Sequence, residues 1–332
     1  MNQHPTSSSI TPILIVGFNR NGTTWLGNIL SQCFDIATAR HELHYGFCET
    51  DIYQNAKYWG DFKNLDNYIN CLETYSKGDI FKVLEGDQAY FREYLPANFY
   101  DFFFTMIDAF ARRQNHRYWV IKLNFDFLKD KDELTFFKTE LNKRYSSVKY
   151  INIQRDFNSY IDSYINMIGD ARIRRNTPYK KKFAGITGAM FYHYFYRQAD
   201  RLLQNEDVLK ISYQSLKKDF ETNLNDIKTF IDYEGSPKTE QLKRNIQNTS
   251  FTTAKKEHSN IFIKLANFIF KYFPPITNLA VRLRYKFKQK NTLPPLWWRL
   301  TKAEHFQEAF KKELQQSGQL LLKEQFEKKD TL

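Results

Sequence analysis

At 332 residues the chain is long enough to bury a sizeable core, as one large α/β domain or two small ones. No stretch is both long and apolar enough to span a bilayer. The polar start, Met1–Ser9, lacks the basic and apolar segments of a secretory signal, so a cytoplasmic location is expected. The net charge of +12 admits nucleic acid or an acidic surface as partners. Three cysteines (Cys33, Cys48, Cys71) in no metal or redox spacing argue for reduced thiols.

The first element is the β-branched run Ile13–Val16, a buried strand that stops at Gly17. Four residues lead from Gly17 to Gly22, and Thr23, Thr24 and an amphipathic run (Trp25, Leu26, Ile29, Leu30) follow. Strand, tight loop and helix in that order form a phosphate cradle, because the N–H groups of the first helical turn and the positive end of its dipole attract an anion. A triphosphate-binding loop carries a lysine after its second glycine. Here Thr23 holds that place and the cation, Arg20, sits inside the loop. Such a loop suits a shorter anion, a 5′-phosphate with one group attached.

Downstream, strands are expected at Phe34–Ala37, Trp119–Leu123, Tyr150–Gln154 and Val208–Ser212. Helical periodicity covers Phe99–Arg113, Glu133–Arg144, Phe183–Gln204, Leu216–Tyr233 and Lys302–Phe326. This alternation predicts an α/β fold whose central, mostly parallel sheet is flanked by crossover helices. With no internal repeat or long linker, residues 1–332 read as a single domain with a basic insert at about 257–296. The strand Tyr150–Gln154 delivers Arg155 into the loop at its C-terminal end, and Ser163 follows two turns into the next helix. A guanidinium and a hydroxyl so placed can grip one phosphate.

These features together resemble the sulfotransferase family whose donor is 3′-phosphoadenosine-5′-phosphosulfate (PAPS), and its bacterial or polysaccharide-type members more than the cytosolic phenol type. Arg20-Asn-Gly-Thr-Thr-Trp25 is similar to the family's loop for the 5′-phosphosulfate, with Asn21 where serine is usual. Arg155 and Ser163 stand in the relation of the Arg…Ser pair that holds the 3′-phosphate. Tyr213, in Val208-Leu-Lys-Ile-Ser-Tyr-Gln-Ser-Leu216, and Thr249-Ser250-Phe251 look like the family's adenine contacts. The resemblance implies a P-loop-like sulfotransferase fold, PAPS as co-substrate, adenosine 3′,5′-bisphosphate as product and no metal. Donor contacts would come from Arg20, Asn21, Gly22, Thr23, Thr24, Trp25, Arg155, Ser163, Tyr213, Thr249, Ser250 and Phe251.

Two family features are missing. No Arg-Lys-Gly segment follows Phe251, where Lys255, Lys256 or Arg299 stand as unranked substitutes. Lys122 is followed by Leu123 and Asn124 in place of a Lys-x-His pattern. Sulfuryl transfer needs a base for the acceptor proton and cations for the charge on the bridging oxygen. Arg20 and Lys122 are the candidate cations. His41-Glu42-Leu-His44-Tyr45 loosely resembles the glutamate-bearing segment of polysaccharide-type members, which favours Glu42 as base, with His44 or His41 as alternatives. A nucleotide kinase or phosphotransferase is the first rival reading, and a non-catalytic membrane-associated protein of the same fold is the second.

Residues 255 to 290 contain nine Lys or Arg and one acid, Glu257, a local balance of +8. The basic residues are interleaved with aliphatics rather than set along a polar groove, so nucleic acid is not expected. Ile261–Phe273 and Ile276–Phe287, separated by Pro274-Pro275, are each too short to span hydrocarbon and suit the headgroup zone of an anionic membrane. The expected acceptor is therefore a hydroxyl of a glycan, glycolipid or lipid, and the expected localisation is cytoplasmic with peripheral membrane contact.

Overall fold

The computed structural model describes residues 10–18, 20–38, 52, 56, 59, 61–76, 90–91, 94–123, 131–171, 178–239 and 260–289. In chain order these give β1 (Thr11–Val16), α1 (Thr23–Cys33), α2 (Leu65–Ser76), α3 (Phe99–Arg113), β2 (Tyr118–Leu123), α4 (Lys131–Arg144) and β3 (Lys149–Gln154). Then follow α5 (Phe157–Ala171), α6 (Pro178–Leu202), β4 (Val208–Ser212), α7 (Tyr213–Lys218), α8 (Phe220–Phe230), α9 (Ile261–Tyr272) and α10 (Pro274–Gln289). The four strands form one sheet in the order β2-β1-β3-β4, with every pairing parallel. The register sets Ile15 beside Lys122 and Val16 beside Asn152, so all four strands end on one edge of the sheet.

β1, β2 and β3 are buried on both faces, as parallel strands between helices must be, while the edge strand β4 buries only Ile211 fully. Ile13 and Ile15 of β1, with Ile151 and Ile153 of β3, pack against Leu26, Ile29 and Leu30 of α1 and Leu224 and Ile227 of α8. Leu14 and Val16 point to the opposite side, into an aromatic core of Phe99, Phe103 and Phe104 from α3, Trp119 from β2 and Tyr160 from α5. The period-2 alternation of one strand thus feeds two separate layers.

Three expected elements differ. At Phe34–Ala37 only Ala37 bridges to Trp119, because α1 continues to Cys33 and Asp35 takes a positive φ of 50° that reverses the chain. The single helix expected over Leu216–Tyr233 is two. Ser212 caps α7 by accepting the Ser215 N–H, and Asp219 then interrupts the helical dihedrals. The helix expected from Phe183 starts earlier, at Pro178, a residue suited to a first helical position. Lys302–Phe326 lies outside the described residues.

Pro274 and Pro275 end α9 and also open α10, since proline lacks the N–H a helix interior needs yet suits its first turn. The resulting hairpin packs on α6. Ile263 of α9 is buried, its side chain filling the space where a Cβ on Gly185 would lie 2.5 Å from it.

A phosphate-type cradle at the carboxyl edge of the sheet

The candidate site lies where the four strands end, the edge at which open α/β sheets place ligands. The loop after β1 turns sharply through two left-handed residues, Arg20 (φ 72°) and Gly22 (φ 94°). Gly22 has no freedom to carry a side chain, because a Cβ there would meet the Tyr213 ring at 2.5 Å. As N-cap of α1 it offers no side-chain oxygen, and the first turn has no acidic residue. Those two absences leave the positive end of the helix uncompensated from within the helix, the condition for an anion site.

Asn21 fixes the loop from inside. Its side chain is fully buried, and Nδ2 donates to the Phe18 carbonyl (3.0 Å) while Oδ1 accepts the backbone N–H of Arg155 (3.0 Å). An amide can donate and accept at once, so one side chain ties the loop to the end of β3. The Arg155 side chain turns back over the same loop. Its Nη1 donates to the Arg20 carbonyl (3.3 Å), and its guanidinium lies 4.5 Å from the centre of the Tyr213 ring. Its Nε is buried with no hydrogen-bond partner. Tyr213 in turn meets Trp25 edge-on at 5.3 Å.

Ser163 is buried on α5, and its Oγ accepts a hydrogen bond from Arg20 Nε (3.1 Å). It is therefore Arg20, not Arg155, that reaches this hydroxyl. Lys122, at the end of β2, donates from Nζ to Thr24 Oγ1 at 3.4 Å and so faces the start of α1. Three cations from three strand ends (Arg20, Lys122 and Arg155) converge on the loop. The nearby carboxylate of Asp156 is occupied as the cap of α5, accepting from Ser159 N at 2.9 Å and from the Gln214 amide.

The structure thus gathers Arg20, Asn21, Gly22, Thr24, Trp25, Lys122, Arg155, Ser163 and Tyr213, with Thr23 opening α1 beside them. The proposed base Glu42, its alternatives His41 and His44, and Thr249, Ser250 and Phe251 lie outside the described residues. Sequence reasoning missed Tyr192 on α6, whose hydroxyl donates to the Arg155 carbonyl at 2.7 Å. Burial, followed by the Asp156 charge, pushes that phenol up to about 12, which keeps the proton on the donor at neutral pH. Nothing in a helix rich in buried aromatics distinguishes this tyrosine in advance. Among the described residues, no group of three or more His, Cys, Asp or Glu could hold a metal ion.

Comparison with known proteins adds a family match. The model of the sulfotransferase domain matches residues 11–318. Solved structures similar to the chain include the sulfotransferase domain from the curacin biosynthetic pathway, 14% identical with a TM-score of 0.46, covering 77% of this chain and 83% of that one. A second is the sulfotransferase domain of the Synechococcus PCC 7002 olefin synthase, 14% identical with a TM-score of 0.43, covering 81% and 98%. A third, mouse sulfotransferase SULT7A1 complexed with PAP, is 16% identical with a TM-score of 0.37 and covers 90% of each chain. No curated protein sequence matches.

Proposed function

Since the chain belongs to the sulfotransferase family and is an enzyme acting on hydroxyl-bearing acceptors, we propose that its sulfuryl donor is PAPS and that residues 1–332 form one catalytic domain. The observation that carries the reading is the corner where Arg155 bends back over the Arg20–Gly22 turn with its buried Nε unpartnered. A buried donor without an acceptor is costly, and a phosphate oxygen would satisfy it. Together with the start of α1, which has neither a side-chain cap nor an acidic residue in its first turn, that corner supports a donor carrying two anionic ends.

In this reading the N–H groups of the loop and of Thr23, Thr24 and Trp25 hold the 5′ end of the donor. Arg155 holds the 3′-phosphate, and Ser163 joins it once its hydroxyl is released from Arg20 Nε, its partner in the free protein. Tyr213, with Thr249, Ser250 and Phe251, lies against the adenine. When bound, the donor supplies an activated sulfuryl group whose departure leaves negative charge on the 5′-phosphate. Arg20 and Lys122 stabilise that charge from opposite sides of the loop, while Glu42 accepts the proton of the acceptor hydroxyl, with His44 as the alternative. The acceptor hydroxyl is carried by a glycan, a glycolipid or a lipid.

Thermal-shift titration tests the donor assignment. Adenosine 3′,5′-bisphosphate should raise the melting temperature in a concentration-dependent way, as a ligand bound only by the folded state must, and ATP should do so less. A larger shift with ATP would replace this reading with a phosphotransferase. Glu42→Gln tests the base: turnover should fall roughly a hundred-fold or more, with the bisphosphate shift unchanged. Unaltered turnover would remove Glu42 from the chemistry.

A further inference from the structure

We propose that the α9–α10 hairpin is a docking surface for an anionic lipid bilayer. A helix on a globular protein ordinarily turns its apolar stripe inward. On α9 the inward stripe is present, with Ile263 and Ala266 buried and Phe270 packed on the core, but a second apolar stripe faces the other way. The period of 3.6 residues puts Ile261, Leu265, Phe268 and Tyr272 on that outer face, and each is more than half exposed, Ile261 at 74%. Ile276, Leu279 and Leu283 repeat the pattern on α10, while Thr277 and Val281 turn inward. Of the twelve exposed large apolar side chains among the described residues, nine belong to this hairpin and its turn. Contiguous exposure on that scale marks an interaction surface.

Charge complementarity selects the occupant. Residues 261–289 hold six Lys or Arg and no acid. Lys264 and Lys271 lie together at the border of the apolar stripe, and Arg282 is exposed on α10. A protein partner would be expected to meet a mixture of signs. An apolar face edged with cations alone matches acyl chains beneath anionic headgroups, with the long basic side chains reaching the headgroup level. No helix among the described residues is long and apolar enough to cross a membrane, so the hairpin lies along the surface.

The hairpin is held to the rest of the chain by polar contacts as well as by packing. A hydrogen bond of 2.7 Å joins His193 Nε2 and Asn267 Oδ1, and Arg197 Nη1 donates to the carbonyl of Phe270 (2.9 Å) at the C-terminal end of α9. One turn of α6 therefore touches both regions, since Tyr192 reaches Arg155 and the next residue, His193, reaches α9. Docking fixes the position of the catalytic edge relative to the bilayer. On the sulfotransferase reading above, it favours acceptors whose hydroxyl is carried in the headgroup layer.

The test is flotation of the full chain with vesicles of equal parts phosphatidylglycerol and phosphatidylcholine, against phosphatidylcholine alone. The chain should rise with the anionic vesicles and do so less in high salt. The double variant Phe268→Glu with Leu279→Glu should lower the bound fraction roughly ten-fold or more by charging the inserted stripe. Lys264→Glu with Lys271→Glu, at exposed positions, should weaken binding to the anionic vesicles. A retained bisphosphate thermal shift in both variants shows that the fold and donor site survive. Absence of flotation, or flotation indifferent to both variants, overturns the proposal. So does a stable dimer that Phe268→Glu with Leu279→Glu dissociates while no form floats, since a second copy would then cover the face. A wild-type chain that floats but shows no bisphosphate shift supports the docking surface and counts against the donor assignment instead.

Discussion

Replacing Arg155 by alanine should weaken binding of adenosine 3′,5′-bisphosphate by about 1.5–3 kcal/mol, the range for hydrogen bonds to charged groups, and calorimetric titration reads the change directly. The substitution is selective because of how the residue is attached. Its backbone N–H to Asn21 Oδ1 and its carbonyl to the Tyr192 hydroxyl are main-chain bonds that alanine keeps. What alanine removes is the side chain: the buried, unpartnered Nε, the Nη1 bond to the Arg20 carbonyl and the guanidinium over the Tyr213 ring. The loop should therefore stay in place while its cation goes, and the stability of the free protein should change by about 1 kcal/mol or less, the scale of a half-exposed cation–π contact. Arg155→Lys restores the charge without the planar fork and should recover only part of the affinity. An unchanged dissociation constant for Arg155→Ala would detach this corner from donor binding.

The largest effect on stability is expected at Asp108, far from that edge. Asp108 is fully buried on α3, where Oδ1 accepts from Trp119 Nε1 (2.9 Å) and from the Tyr145 hydroxyl (2.9 Å), and Oδ2 accepts from Arg144 Nε (2.9 Å). Burial pushes this carboxyl above the usual carboxylate range, and the Arg144 guanidinium pulls it partly back. Arg144, itself mostly buried, also donates to Asp101 (3.0 Å) and Thr105 (2.9 Å). One carboxylate thus joins α3, β2 and the segment that ends α4. Asp108→Ala leaves an indole N–H, a phenol and the Arg144 Nε without their acceptor in the core, while Arg144 Nη1 keeps Asp101 and Thr105. It should cost about 3 kcal/mol, the lower end for breaking a buried ion pair on one side. Urea denaturation measures it as a lowered midpoint. By contrast, the exposed pair Arg117–Glu234 (3.0 Å) should contribute at most about 1 kcal/mol. A loss at Asp108 no greater than that would mean the network is not the structural centre of this layer.

Much of the fold was legible because its signals are local. The runs at Ile13, Trp119, Tyr150 and Val208 became β1 to β4, since short β-branched and aromatic runs between helical periods belong to buried parallel strands. The helix over Phe99–Arg113 appears with those bounds, with Asn98 accepting the Asp101 N–H as its cap. Phe34–Ala37 misled for the same reason: an apolar run can belong to a helix end as readily as to a strand, and the positive φ at Asp35 decides which. Asp219 likewise breaks a periodicity that continues on both sides of it.

The sequence by itself determined the phosphate-type loop, the arginine at the end of a strand and the unusual charge of residues 255–290, because spacing, residue chemistry and composition are properties of the chain. Only the tertiary structure decided that Arg20 and Ser163, 143 positions apart, share a hydrogen bond, that Asn21 bolts the loop to Arg155, and that Tyr192 supports that corner from another helix. It also decided that the outer stripe of α9 stays exposed while its opposite stripe is buried. The physical reason is common to all four. Periodicity tells which way a side chain leaves its own element, whereas its partner depends on how crossovers set distant elements side by side.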